Sequence, residues 1–178
     1  MPLFAIAAVG ADRPGIVAGV TGVLVQHGCN LEDSSMSILR GHFAIMLVVS
    51  GPDGLDAGTL EAALSVPAQE LELVVVVREI DEAVASSPRG DPWTVSVYGA
   101  DRPGIVHGVT NLLAQAGVNI VDLTTRVIGD PDRPVYAMVL EVTLPTDADP
   151  DDLGHRLNGL AGELGVECSM HRSEADIL

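Results

Sequence analysis

The chain has 178 residues, 47% of them hydrophobic and 19% charged, and carries a net charge of -16. That balance describes a globular protein and argues against a partner with a phosphate backbone or an anionic membrane surface. All nine basic residues are Arg, which removes Schiff-base chemistry, a lysine general base and the P-loop lysine.

The aromatic set is only Phe4, Phe43, Trp93, Tyr98 and Tyr136, too sparse for base-stacking platforms. The two cysteines, Cys29 and Cys168, show no pairing or metal-ligand spacing. No metal or cofactor is expected. The N-terminal apolar stretch lacks a basic leader and stops at Gly10, and no apolar run approaches the length of a membrane helix. The expectation is a soluble cytoplasmic protein.

Apolar Leu3–Val9 opens the chain as a first strand. It feeds a turn, Gly-Ala-Asp-Arg-Pro-Gly, and then a helix of about 13 residues stopping at Gly28. Val17, Val20 and Leu24 form an i, i+3, i+7 stripe and are the expected buried face. A second strand is expected from Asn30 to Leu39, a turn at Arg40-Gly41, and a returning strand from His42 to Ser50. A second helix, Ala57–Leu64, and a last strand, Leu71–Glu79, complete the unit.

The order then begins again. The segment Gly10–Val17 recurs unchanged at Gly99–Val106, and from Gly10 to Asp33 the copies match at 16 of 24 positions. The offset of 89 residues is too long for a solenoid repeat and suits a small domain. The second copy reads Trp93–Tyr98, a helix burying Val106, Val109 and Leu113 and ending at Gly117, strands Asn119–Ile128 and Val135–Thr143, helix Pro150–Leu164 and strand Val166–Arg172. Its Asp149-Pro150 pair is an N-cap followed by Pro at N1. Residues 1–84 form the first domain, 85–92 a linker and 93–173 the second domain. Each reads β-α-β-β-α-β, a ferredoxin-like α+β unit, and the two are expected to bury apolar surface against each other.

The doubled constellation is Asp12, Arg13, Pro14, Gly15 and Ile16 with Asn30, and Asp101, Arg102, Pro103, Gly104 and Ile105 with Asn119. Each loop lies where a strand enters a helix. Orphan N–H groups there favour an anion, and Gly lets a guest approach the backbone. A neighbouring Asp suits a cation, so the pair of features fits a zwitterion such as an amino acid. Helix capping by Asp is the competing reading of the same residues, and Asn30 and Asn119 also suit turn backbone groups. Arg13 and Arg102 can clamp a carboxylate bidentately, or face solvent or pair with an Asp. His107 and His155 read as surface residues, and the pairs Ser34-Ser35 and Thr124-Thr125 line a ligand or alternate on an open sheet face.

The DRPGI segments, the GCNL and GVNI segments at Gly28 and Gly117, and the element order resemble the ACT domain, a small-molecule-binding regulatory module. The resemblance covers nearly the whole chain, one domain per half. It implies a non-enzymatic regulator in which paired domains bind a small amino acid at their interface. The loops Asp12–Gly15 and Asp101–Gly104 would hold the ligand's polar groups, and Asn30 or Asn119 would reach it from the paired domain. Asp12 and Asp101 stand where many members have Asn, which adds charge beside the ligand. A homodimer or a protein partner is expected, with no direct nucleic-acid contact. The alternatives are a ligand-free oligomerisation module and, more remotely, an acylphosphatase-like hydrolase using Arg13 and Asn30.

Overall fold

A computed structural model describes residues 1–81, 90–129 and 134–173. The chain divides into two compact units, residues 1–86 and 87–178. The first runs β1 (Leu3–Ala11), α1 (Ile16–Gln26), β2 (Asn30–Leu39), β3 (His42–Ser50), α2 (Ala57–Glu70) and β4 (Val74–Ile80). The second runs β5 (Asp91–Gly99), α3 (Ile105–Gln115), β6 (Asn119–Ile128), β7 (Val135–Leu144), α4 (Pro150–Leu164) and β8 (Val166–Arg172). Both are βαββαβ, with sheet orders β2-β3-β1-β4 and β6-β7-β5-β8 and every pairing antiparallel.

The central strands show why. Along β1, Phe4, Ile6 and Ala8 alternate into the core while Leu3, Ala5 and Ala7 turn to the other face, the period-2 signature of a sheet covered on one side. Phe43, Ile45, Leu47 and Val49 do the same on β3. They meet Ile16, Val20 and Leu24 of α1 and Leu60 and Leu64 of α2 in one cluster. A separate cluster gathers Val95, Val97, Ile105, Val109, Leu113, Met138, Leu140 and Leu157 in the second unit. The face away from the helices in the first unit leaves Val9, Met46, Val74 and Val76 exposed.

The buried stripe of each first helix differs from the expectation. Val17 and Val106 are 42% and 38% exposed, and Ile16 and Ile105 take their places in the core at 2% and 1%. The loop decides this. Gly15 and Gly104 are the N-caps, at φ 95° and 98°, so Ile is the first helical residue and the stripe runs i, i+4, i+8. The helix spans 11 residues rather than about 13. Helix α2 continues past Leu64 to Glu70, with Pro67 inside it. Strand β4 begins at Val74, later than expected, and β5 begins at Asp91, inside the expected linker. The rest of that linker, apart from Gly90, lies outside the described residues.

Caps on the second helices are built from side chains. The Asp149 carboxylate accepts from the N–H groups of Asp151 (2.9 Å) and Asp152 (3.3 Å), and Asp56 accepts from Thr59 N–H at 2.7 Å. Asp56→Ala is expected to cost about 1 kcal/mol, measured by denaturant unfolding. A change within error would mean that water satisfies the Thr59 N–H equally well. Among the described residues, no helix is long and apolar enough to cross a membrane.

Candidate functional site

Each DRPG loop joins the C-terminal end of the first strand to the N-terminus of the first helix. The first intrahelical bonds run from Gly19 N–H to Gly15 C=O and from Gly108 N–H to Gly104 C=O, both 2.8 Å. The N–H groups of the three residues between, Ile16 to Ala18 and Ile105 to His107, precede any i−4 partner and form the open end of the helix dipole. Neither helix has a side-chain cap. Asp12 and Asp101 therefore do not cap, and both residues are exposed, three positions before the glycine N-cap. The backbone of Asp12 is held instead, its N–H donating to Gly41 C=O at 2.9 Å.

Ile16 and Ile105 were expected at the ligand. Their side chains fill the core, so only their backbone N–H groups face the loop. The arginines reach sideways to the corner where the second helix meets the last strand. Arg13 pairs with Glu72 at 3.3 Å. The position answering to Glu72 is Gly165, where an added Cβ would lie 2.8 Å from Nη1 of Arg102. Arg102 thus covers a helix C-terminus, where a cation is favoured.

The second loop forms one wall of a cleft of ≈ 560 Å³. It gathers Asp101, Arg102, Pro103, Gly104 and Ile105 with His107, Thr110 and Tyr136. Tyr136 is 9% exposed. Burial pushes its phenol above the usual tyrosine range; a hydrogen bond with Thr125 opposes this, and the Asp101 carboxylate adds to the rise. The phenol is a neutral hydrogen-bond donor at physiological pH. Sequence reasoning missed it because the partner of Gly99 across the sheet, Tyr136, lies 37 positions on and has Phe43 as its counterpart opposite Gly10.

Asn30 and Asn119 lie elsewhere. Asn30 pairs with Ser50, and Asn119 with Thr143, at the end of the sheet opposite the loops. Along β1 that separation is about 27 Å at the rise of an antiparallel strand. Within a single domain the Asn does not join the loop. Asn30 Nδ2 donates to Glu32 Oε1 at 3.0 Å, and Ser50 Oγ donates to the same oxygen at 2.5 Å. These bonds, Ser50 first, hold the Glu32 carboxyl below its usual range. Asn30, Glu32, Ser50, Leu3, Val48 and Ile80 line a second cleft of ≈ 630 Å³.

Cys29 and Cys168 are both free thiols, and burial pushes each thiol above its ordinary value.

The chain is a tandem of two ferredoxin-like units, each with a left-handed glycine at the start of its first helix. The chain belongs to the ACT domain family, matched at residues 3–78 and again at 93–153. It is 30% identical over 169 residues to the glycine cleavage system transcriptional repressor of Escherichia coli, covering 93% of this chain and 87% of that protein. A crystal structure of a protein from Galdieria sulphuraria superposes with a TM-score of 0.81 at 27% identity, over 97% of this chain and 99% of the other. A phosphoserine phosphatase of Mycobacterium tuberculosis is 28% identical over 144 residues, 79% of this chain and 34% of the enzyme.

Proposed function

We propose that this protein is a non-enzymatic regulator that binds a small amino acid at its DRPG loops and controls a protein partner. The observation that carries the reading is the Gly15 and Gly104 helix start without a side-chain cap, preceded three residues earlier by an exposed acidic residue, Asp12 or Asp101. A carboxylate of the ligand is received by the helix N–H groups, and the Asp takes the ammonium. Asn30 or Asn119 closes the site from a paired domain. The similarity to a glycine cleavage repressor supports a role in controlling amino-acid metabolism. The charge of -16 favours control through protein contact over direct contact with DNA. The phosphatase likeness spans a third of that enzyme's length, 34%, and supports a shared sensory part rather than a shared reaction.

The test is titration calorimetry with a panel of the twenty amino acids, glycine first, against the wild type, Asp12→Asn and Asp101→Asn. Because neither Asp caps its helix, stability should change by less than about 0.5 kcal/mol. Loss of a charge-assisted contact should weaken binding about tenfold or more in at least one variant. Unchanged affinity in both would remove the carboxylates from the site. A panel with no binder would favour a ligand-free oligomerisation module.

A further inference from the structure

The two loops are nearly identical in sequence, yet their surroundings are not. In the first domain Arg13 is drawn to Glu72, the residue facing the loop at the sheet is Phe43 at 2% exposure, and the third helical residue is Ala18. In the second domain Gly165 replaces Glu72, Tyr136 replaces Phe43 and His107 replaces Ala18. All three exchanges act in one direction. They remove a carboxylate that competes for the guanidinium, add a phenol O–H, and add an imidazole at the helix N-terminus.

We infer that the cleft of the second domain is the ligand-binding site of each chain, that Tyr136 and His107 set its specificity, and that the first-domain loop is a structural copy. This rests on the amino-acid reading above and selects one of its two loops. Tyr136 is nine-tenths buried and borders the same cleft as Asp101 and Arg102. A hydroxyl can donate once and accept twice, so the bond between the phenol and Thr125 leaves the phenol capacity for a second partner inside the cleft. An apolar core position that is Phe in one copy and Tyr in the other adds only that hydroxyl. Buried hydroxyls are retained where they find a partner. Arg102 and His107 flank the same space, so the ligand class is an amino acid whose side chain carries an oxygen acceptor, a hydroxyl or a carboxylate. An aliphatic side chain would leave that second hydrogen-bonding position of the phenol unused.

Serine, aspartate and alanine are the probes, titrated by calorimetry into the full-length protein, with the imidazole proton signals followed by NMR. The expected result is one site per chain, serine or aspartate binding at least tenfold more tightly than alanine, and a shift of the His107 signal on binding. Tyr136→Phe should erase that preference while leaving the thermal midpoint within a few degrees. Glu72→Gln and Phe43→Tyr, made in the first domain, should leave affinity and stoichiometry unchanged. Two equivalent sites, or binding lost in Asp12→Asn but kept in both Asp101→Asn and Tyr136→Phe, would overturn the asymmetry while preserving the amino-acid reading. No binding of any amino acid from the full panel would overturn both.

Discussion

Phe4→Ala should destabilise the first domain by about 3–5 kcal/mol, as truncations of fully buried aromatic side chains do. Phe4 has 0% exposure and sits in the core shared by β1, β3, α1 and α2. A loss of that size approaches the whole stability of a small domain. Each half has its own core cluster, so the loss should be centred on the first. Trp93, the single tryptophan, packs against the second cluster and so reports on that core. Thermal unfolding should show the circular dichroism transition splitting, with an early phase that Trp93 fluorescence does not follow. If fluorescence and dichroism shift together by the same amount, the halves unfold as one unit. Leu140→Ala should reverse the pattern and move the Trp93 signal first.

The second large effect is expected at Gly104. Its φ of 98° lies where a Cβ costs about 1–2 kcal/mol. Nothing stands within 4 Å of an added Cβ, so Gly104→Ala should strain the backbone without a steric clash. The strain is relieved by turning the peptide that aims the helix N–H groups, so ligand affinity should fall further than stability does. Gly99→Ala supplies the contrast. Its Cβ would lie 2.7 Å from Cγ1 and 3.0 Å from Cα of Val166, and its loss of about 1–3 kcal/mol is overpacking. Denaturant unfolding together with calorimetry on both variants separates the two. Equal losses of stability and affinity at Gly104 would mean that the loop geometry serves folding alone.

Much of this architecture is written in local patterns. Strand β2, the Arg40-Gly41 turn, β3, α4 and β8 fall where turn residues and alternation put them, because each is bounded by Gly, Asn or the Asp149-Pro150 pair. The buried face of α1 was not legible. Both Val17 and Ile16 head helical stripes, and only the left-handed Gly15 decides which enters the core. Helix α2 outran its expected end because Pro67 sits one turn from the C-terminus, and the Leu71 N–H still donates to Pro67 C=O at 2.9 Å. For the site, repetition exposed the loop residues but concealed what differs around them. Tyr136 and Gly165 are far along the chain from the loop, and their importance appears only when sheet register brings them beside Asp101 and Arg102.

Every strand of each sheet comes from its own half of the chain. For a polypeptide carrying 16 of 24 identical residues in two places, this has a consequence for biosynthesis. Strand β4 ends at Ile80, before the second copy of the motif has been translated. The first half can complete its ladder and close its core while the duplicate is still inside the ribosome. The order of emergence therefore keeps a nascent strand from pairing with its near-twin. Refolding from denaturant offers both copies at once and removes that safeguard, so exchanged strands belong to the test tube rather than to synthesis.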